Sequence, residues 1–502
     1  METLNYSVLE KTGYKGYILK DAPEKVLQFG EGNFLRAFVD YMLDVANERG
    51  AFYGHVVIVK PTDRGNLDKF VRQDNFYTVL TRGRANGQVV DERRLIGCVE
   101  RCLSPYDDPD GFWTLAELPD VRFVVSNTTE AGIALTGGEA LGDRPCASFP
   151  GKLTQWLYAR WKHFGGDPEK GVTVLPVELI DDNAGTLRRY VLELCGKWRL
   201  EAAFEAWLET ACRFHNTLVD RIVTGYPADA AAVCERLGYQ DALLDVCEPF
   251  ALWVIECNEE DAERLARELP LQKAGLPVVL TRDLTPYHER KVRLLNGAHT
   301  SSVLAAYLAG EDIVRGMMHN PLLRAYLDRA VYGELAPTVA LPAADVKAFA
   351  DSVMERFDNP FIDHALTAIA LNSVSKWRAR VLPGVRAYLE KTGRLPRCLT
   401  FSWAALAAFY APVRRNEDGT LVGKRDGNEY TVRDDRAAID FFWENRSAAP
   451  EKLLRDLAGR VDFWGEDLNG LNGFVDQAIV DLKNIRALGV KDAIRRAMER
   501  EI

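Results

Sequence analysis

The sequence predicts an α/β fold, with an amino-terminal domain built on a parallel sheet and a mostly α-helical carboxy-terminal domain. Short apolar runs alternate with amphipathic helical patterns in the first half, as in doubly wound sheets. After about residue 285 the strand signals thin out and long helical patterns take over. A chain of 502 residues also exceeds what one hydrophobic core usually supports. We therefore predict two domains, 1–285 and 286–502.

Four apolar runs in the first half are the predicted strands of this sheet, namely VLQF (26–29), VVIV (56–59), RFVVS (122–126) and VTVLPVEL (172–179). Two amphipathic stretches between them, Phe34 to Glu48 and Lys152 to Phe164, repeat apolar residues every three or four positions. They are the predicted crossover helices. In the second half, helices are predicted at Pro286 to Leu308, Ala343 to Phe357 and Leu399 to Tyr410, and an exposed hairpin or loop at 416–430.

Composition and charge disfavour several classes of protein. A formal net charge of -10 would repel phosphate backbones and anionic lipids, so we expect no nucleic-acid and no membrane partner. Neither a secretory leader nor a run of about 18 apolar residues is evident, which favours the cytoplasm. Nine scattered cysteines without a CxxC pair indicate reduced thiols, and scattered histidines predict no metal. The sequence is compatible with a monomer or a small homo-oligomer.

The first motif, VLQFGEGNFLRAF, passes from an apolar strand through Gly30 and Gly32 into a helix. Glycines let backbone N–H groups approach a pyrophosphate, and the start of a helix favours negative charge. The motif therefore predicts a dinucleotide site. A plain turn is the alternative, because Leu35 replaces the third glycine of GxGxxG. Three following residues complete the predicted cofactor-binding set: Asn33, Phe34 and Arg36.

Asp63, in VVIVKPTDRGN, is the candidate for binding the adenosine ribose. An acidic residue after the second strand normally accepts hydrogen bonds from the ribose hydroxyls. It lies farther from the glycines than the usual ~20 residues, and a surface turn is the alternative interpretation. Arg64 beside it could bind a 2′-phosphate, so the sequence favours NAD over NADP without deciding between them.

The segment TPYHERKVRLLNGAHTSSV carries the predicted chemistry. On an α-helix, Asn296 and His299 lie about 140° and about 80° from Lys291, on one face. Lysine can accept the proton of an alcohol as hydride leaves, and return it to a ketone, if burial lowers its pKa from about 10.4 toward neutrality. Asn296 could stabilise the oxyanion and His299 could hold a substrate hydroxyl. A solvated lysine and a structural histidine are the alternatives.

A second pattern overlaps this segment, because Tyr287 to Lys291 also spells the YxxxK of short-chain dehydrogenases. Those enzymes are about half as long and carry a GxxxGxG turn. They also need a serine roughly a dozen residues upstream, where this chain has LQKAG. We interpret the match as coincidental.

Six ordered motifs resemble the polyol-specific long-chain dehydrogenases, the mannitol dehydrogenase family. They are GEGNFLRAF, DNFYTVLTRG (74–83), NTTEAGI (127–133), NTLVDRIVTGYP (216–227), KVRLLNGAH and RFDNPFI (356–362). The resemblance implies a Rossmann-type amino-terminal domain, a helical carboxy-terminal domain, a cleft for substrate between them, and zinc-free chemistry with NAD. It also implies that Lys291 is the general acid/base, Asn296 an oxyanion stabiliser and His299 a substrate contact.

Some positions depart from the family pattern. In PVELIDDNAG, which is similar to the family motif C-[DE]-N-x-x-x-N, Leu179 replaces the first asparagine and Asn183 matches the second. Asn183 is therefore the predicted second active-site amide. Leu35 stands where mannitol dehydrogenases carry histidine, which favours a branch of the family that acts on sugar acids.

Four further residues complete the predicted site. Glu130 is predicted to contact substrate and Asp220 to contact cofactor, with capping or salt-bridge roles as alternatives. Lys376 and Arg378, after RFDNPFI, are candidates for binding a substrate carboxylate, with solvated helix charge as the alternative. The predicted reaction is reversible hydride transfer between NAD(H) and a sugar acid. Alternatives are a polyol or fructuronate dehydrogenase, a cofactor-retaining epimerase, and a ligand-binding module without turnover.

Overall fold

The computed structural model describes residues 1–129 and 131–499, which form two compact units. The first unit holds Met1–Arg82 and Val90–Leu284. The second holds the short segment Gly83–Val89 and the chain from Thr285 onward. The inclusion of this short segment in the second unit is not signalled by any sequence pattern.

The first unit alternates strands and helices. Its strands are β1 (Glu24–Phe29), β2 (His55–Val59), β3 (Tyr77–Ala85), β4 (Gln88–Ile96), β5 (Val99–Leu103), β6 (Phe123–Ser126), β7 (Thr173–Pro176), β8 (Arg213–Phe214), β9 (Thr217–Asp220), β10 (Val223–Gly225), β11 (Asp245–Cys247), β12 (Leu252–Glu256) and β13 (Val278–Thr281). Its helices are α1 (Tyr6–Lys11), α2 (Asn33–Leu35), α3 (Tyr41–Glu48), α4 (Asp68–Arg72), α5 (Pro109–Thr114), α6 (Phe149–His163), α7 (Asn183–Trp198), α8 (Ala202–Thr210), α9 (Ala230–Leu237) and α10 (Glu259–Glu268). A π-helical segment, Arg36–Asp40, joins α2 to α3 into one helical stretch.

Six strands form a parallel sheet in the order β5-β2-β1-β6-β7-β8. Counted along the chain within this sheet, the order is 3-2-1-4-5-6, that of the Rossmann fold. The predicted parallel sheet is therefore confirmed, and each of the four predicted strands is present. Ligands of such sheets bind beyond the carboxyl ends of the strands where the order reverses, which here is between β1 and β6.

Both faces of this sheet are buried. In β2, Val56 and Ile58 pack into one hydrophobic core while Val57 and Val59 pack into the other. Strands covered on both faces have no polar side, so they read as continuous apolar runs. This is why VVIV and its counterparts were recognisable in the sequence.

The long hairpin of β3 and β4 was not among the predicted elements. Its turn contains Asn86 and Gly87 with φ angles of 53° and 75°. An Asn-Gly pair is the characteristic signal of such a turn. The tip belongs to the second unit, where Arg84 pairs with Asp358 at 2.9 Å and the Gly87 N–H donates to Glu355 at 2.6 Å.

The second unit is mostly helical. Its helices are α11 (Thr285–Arg290), α12 (Ala298–Leu308), α13 (Val314–His319), α14 (Pro321–Asp328), α15 (Ala343–Phe357), α16 (Leu366–Ile369), α17 (Ser373–Arg380), α18 (Leu382–Thr392), α19 (Arg397–Phe409), α20 (Arg436–Glu444), α21 (Pro450–Ala458), α22 (Val461–Trp464), α23 (Phe474–Leu488) and α24 (Val490–Glu499). Two π-helical segments, Lys291–Gly297 and Arg329–Leu335, interrupt the α-helical pattern. The strands β14 (Arg414–Arg415), β15 (Leu421–Arg425) and β16 (Asn428–Val432) form a small antiparallel sheet at the predicted hairpin.

Aromatic side chains form much of the core of this unit. Trp377, Trp403, Trp464 and Phe474 pack together with ring centroids 5.3 to 6.3 Å apart. The Trp377 indole N–H donates to Ser402 at 2.9 Å, which satisfies its buried polar atom. This packing holds α17, the helix that carries Trp377, in a defined orientation.

Gly30 directly follows β1 and has a φ of +128°, a backbone conformation that is essentially restricted to glycine. A Cβ at this position would lie 2.8 Å from Leu35 and 3.0 Å from the carbonyl oxygen of Asn127. Gly30 therefore allows β1 and the residue after β6 to approach each other at the point where the strand order reverses.

We predict that Gly30→Ala lowers the free energy of unfolding by about 1–3 kcal/mol, because alanine must adopt a strained φ. Urea denaturation measures this loss. Gly32→Ala is the matched control, since Gly32 has a φ of -69° and open space around its Cβ position. Equal stability losses for the two variants would contradict the assignment.

Candidate active site

The glycine turn of the first unit is suited to binding a pyrophosphate. Gly32 is exposed and precedes Asn33, where the helical stretch to Glu48 begins. A Cβ on Gly32 would meet no atom within 4 Å among the described residues, so the approach to the backbone is open. Open N–H groups at the start of a helix, at the reversal point of a Rossmann sheet, can hold an anionic ligand.

The three residues predicted beside this turn differ in their surroundings. Asn33 is exposed, and Phe34 is partly buried and stacks on Phe38 with ring centroids 5.0 Å apart. Arg36 is buried instead. Its guanidinium donates to the carbonyl oxygen of Leu243 and to Oδ1 of Asn33, so it is directed into the unit.

Asp63 is exposed in the loop after β2. Its charge raises the pKa of Tyr106 and the pKa of Lys152. Burial has the larger effect on Lys152 and lowers its pKa to about 8. The loops after β2 and β5 therefore meet near Asp63. Asp220 is buried at the end of β9, which pairs with β12.

Asn183 is buried in the framework of the first unit. Its Nδ2 lies 3.1 Å from the carbonyl oxygens of Pro176, Glu178 and Thr217. Its Oδ1 accepts from the N–H groups of Thr217 and Ala184. Because an asparagine amide has two donor hydrogens and two acceptor lone pairs, this side chain is fully occupied. These contacts indicate a framework role in place of the predicted catalytic one.

Glu178 connects two of the sequence motifs. Its buried carboxylate accepts from the Ser126 hydroxyl at 3.0 Å and from the Thr128 N–H at 2.9 Å. The ends of β6 and β7 are thereby tied together. Leu179, next to it, is exposed, and the predicted substrate residue Glu130 lies outside the described residues.

In the second unit, Lys291 and Asn296 lie on the π-helical segment, and each is partly buried. The α-helical angles used above therefore do not apply. In a π-helix, residue i+5 follows residue i after about one turn, because the hydrogen bonds run between these positions. Asn296 thus lies about one turn after Lys291, and His299 follows on α12.

His299 lies against the RFDNPFI motif. Its ring stacks on Phe357 with centroids 4.0 Å apart and meets His364 edge-on at 5.7 Å. Its Nε2 is shielded from solvent and makes no hydrogen bond to any described residue. Burial lowers the pKa of His299 well below its usual value. The neighbouring His364 ring and the positive charges of Arg356, Arg380 and Lys376 lower it further. The imidazole is therefore neutral in a cationic environment.

Helix α17 provides two of these charges. Lys376 is partly buried and donates to the carbonyl oxygen of Ile369 at 3.0 Å. Burial is the main cause that lowers its pKa, and the charge of Arg380 lowers it further. Burial also lowers the pKa of Arg380. Arg378, predicted for the same role, is exposed and lies against Gly465. Neither Arg356 nor Arg380 is among the predicted site residues, although Arg380 follows Lys376 by one helical turn.

Three further observations concern cysteines, metals and membranes. The nine cysteines are free thiols. Within residues 1–129 and 131–499, no group of three or more His, Cys, Asp or Glu side chains is arranged to hold a metal ion. Over the same residues, no helix combines the length and the apolar character needed to cross a membrane.

Two family models match the chain. The mannitol dehydrogenase Rossmann domain matches residues 24–269, and the mannitol dehydrogenase C-terminal domain matches residues 283–486. Curated relatives include the altronate oxidoreductase of Bacteroides thetaiotaomicron, 42% identical over 94% of this chain and 96% of the relative. That of Phocaeicola vulgatus is 40% identical over 99% of both chains, and that of Klebsiella pneumoniae is 42% identical over 94% and 96%.

Solved structures share the fold. Pseudomonas fluorescens mannitol 2-dehydrogenase, in a ternary complex with NAD and D-mannitol, matches with a TM-score of 0.67 and 23% identity, over 99% of this chain and 100% of that chain. Substrate-free D-sorbitol dehydrogenase matches with a TM-score of 0.78 and 22% identity, over 98% and 100%. Family models, relatives and fold agree, so the chain belongs to the mannitol dehydrogenase family and is an oxidoreductase acting on a polyol or sugar acid.

Proposed function

We propose that this protein reversibly transfers hydride between NAD(H) and a sugar acid, reducing D-tagaturonate to D-altronate. The relatives named altronate oxidoreductase support this substrate. The observation that carries the proposal is the group of positive charges that act on His299, from Arg356, Lys376 and Arg380. A neutral polyol does not require such charges, whereas a substrate carboxylate binds well to lysine and arginine.

The first unit would hold the cofactor. The open turn at Gly30 and Gly32 would receive the pyrophosphate, and Asp63 the adenosine ribose. The cofactor, when bound, supplies or accepts the hydride. A Rossmann sheet with a glycine turn supports a nicotinamide dinucleotide as the cofactor. The exposed Asp63 favours NAD over NADP, because a carboxylate repels a 2′-phosphate.

The second unit would supply the proton. Lys291 donates a proton to the keto oxygen in reduction and accepts it from the alcohol in oxidation. Asn296, one turn along, donates a hydrogen bond to the same oxygen without adding charge. The neutral His299, with its unused Nε2, bonds a neighbouring substrate hydroxyl.

The substrate class is tested with a panel of D-tagaturonate, D-fructuronate and D-fructose with NADH, and D-mannitol with NAD. We expect the highest kcat/KM with D-tagaturonate, measured from nicotinamide absorbance. Oxidation of mannitol without activity on either uronate would contradict the proposal. Conversion of a sugar acid with catalytic NAD and no lasting absorbance change would indicate an epimerase instead.

Lys291→Ala should lower kcat by about 10²–10⁴-fold, because the reaction loses its general acid/base. The Kd for NADH should be nearly unchanged, since the cofactor-binding residues are intact. Lys452→Ala, which removes an exposed lysine paired with Asp456, is the control and should retain full turnover. Turnover retained by the Lys291 variant would mean that the base lies elsewhere.

Arg380→Gln should raise the KM for D-tagaturonate about tenfold or more, because a charge-assisted bond to the carboxylate is lost. Arg378→Gln is the matched variant two residues away, where the side chain lies against Gly465. It should change KM far less. Steady-state kinetics give the KM of both variants. A larger increase in KM for the Arg378 variant than for the Arg380 variant would contradict the proposed carboxylate site.

A further inference from the structure

The buried side chain of Arg36 lies directly beneath the glycine turn. It donates to the carbonyl oxygen of Leu243 and to Oδ1 of Asn33, the first residue of the helical stretch. Its Nη2 is also 3.6 Å from the fully buried carboxylate of Asp245, and its guanidinium lies 5.2 Å from the centre of the Tyr77 ring. Contacts from several elements of the first unit therefore hold Arg36 in one position.

This contact determines how the Asn33 amide is oriented. An arginine side chain has only donors, so the amide must turn its oxygen toward Arg36. Its Nδ2 then points to the other side, next to Gly225, where an added Cβ would lie 2.4 Å from Nδ2. Gly225, with a φ of +80°, leaves the space that this orientation needs.

The Asn33 side chain is exposed, and its Nδ2 donates no hydrogen bond to any described residue. A donor with a fixed orientation, on an exposed residue that directly follows Gly32, is suited to a phosphate oxygen. Holding such a donor in place before binding reduces the entropy lost when the ligand binds.

We propose that Asn33 donates its amide N–H to the pyrophosphate of the cofactor, and that Arg36 is a positioning residue that fixes this amide. The inference rests on the proposed function, because it requires a dinucleotide at the glycine turn. Arg36 then has an indirect role, in which its fork of donors orients Asn33 while its guanidinium lies 3.6 Å from the Asp245 carboxylate.

Asn33→Asp tests the proposal most sharply. Aspartate keeps the size and the acceptor for Arg36, so the fold is retained and Tm should not fall. It replaces the amide donor with a negative oxygen, so the Kd for NADH, measured by fluorescence titration, should rise about tenfold or more. Binding of ADP-ribose should weaken equally, whereas binding of adenosine, which lacks phosphate, should be unchanged.

Asn258→Asp is the matched control, because Asn258 is an exposed asparagine that caps another helix, α10, in the same unit. It adds the same charge away from the glycine turn and should leave the Kd for NADH unchanged. Arg36→Lys keeps the charge but not the fork, so it should weaken NADH binding by a smaller factor than Asn33→Asp.

The outcomes separate this inference from the function on which it rests. A wild-type protein that binds no NADH would refute the proposed function. A wild-type protein that binds NADH, together with an Asn33→Asp variant of equal affinity, would overturn only the role of Asn33. Equal weakening of NADH and adenosine binding in Asn33→Asp would show that the pyrophosphate contact is absent, and would also overturn it.

Discussion

The close contact between Gly297 and Arg380 is the constraint on which the proposed substrate site depends. A Cβ on Gly297 would lie 3.0 Å from the carbonyl oxygen of Arg380, so a larger residue there would push helix α17 away by a few tenths of an ångström. The same contact holds Lys376 and Arg380 against the segment that carries Lys291. In the proposed mechanism, acid/base chemistry and recognition of an anion both depend on this packed pair of helical segments within the second unit.

Much of the fold could be predicted because its strands and helices have clear local patterns. Strands buried on both faces appear as apolar runs, and α15 was predicted with its observed bounds, Ala343–Phe357. The order of strands in the sheet, and the transfer of Gly83–Val89 to the second unit, depend on contacts between distant residues. Local periodicity contains no information about such contacts. The hairpin of β3 and β4 was predictable from Asn86 and Gly87 but was missed.

The candidate site was predictable in part. Spacing and motif resemblance selected Lys291, Asn296 and His299, but the π-helical segment that carries the first two has no recognised sequence signal here. The sequence could not separate Arg378 from Arg380, because their surroundings depend on the packing of α17. Asn183 was assigned a catalytic amide from its motif position, whereas its contacts are with the framework of the first unit. Motif position alone did not distinguish a functional amide from a structural one.

The central claim is that the amine of Lys291 exchanges a proton with the substrate oxygen. Chemical rescue tests it directly, by adding small primary amines of graded pKa to the Lys291→Ala variant with NADH and D-tagaturonate. The account predicts that turnover recovers and that the recovery depends on amine concentration and pKa, as for general acid/base catalysis. A variant that binds both ligands but is not rescued by any amine small enough to enter the site would contradict it.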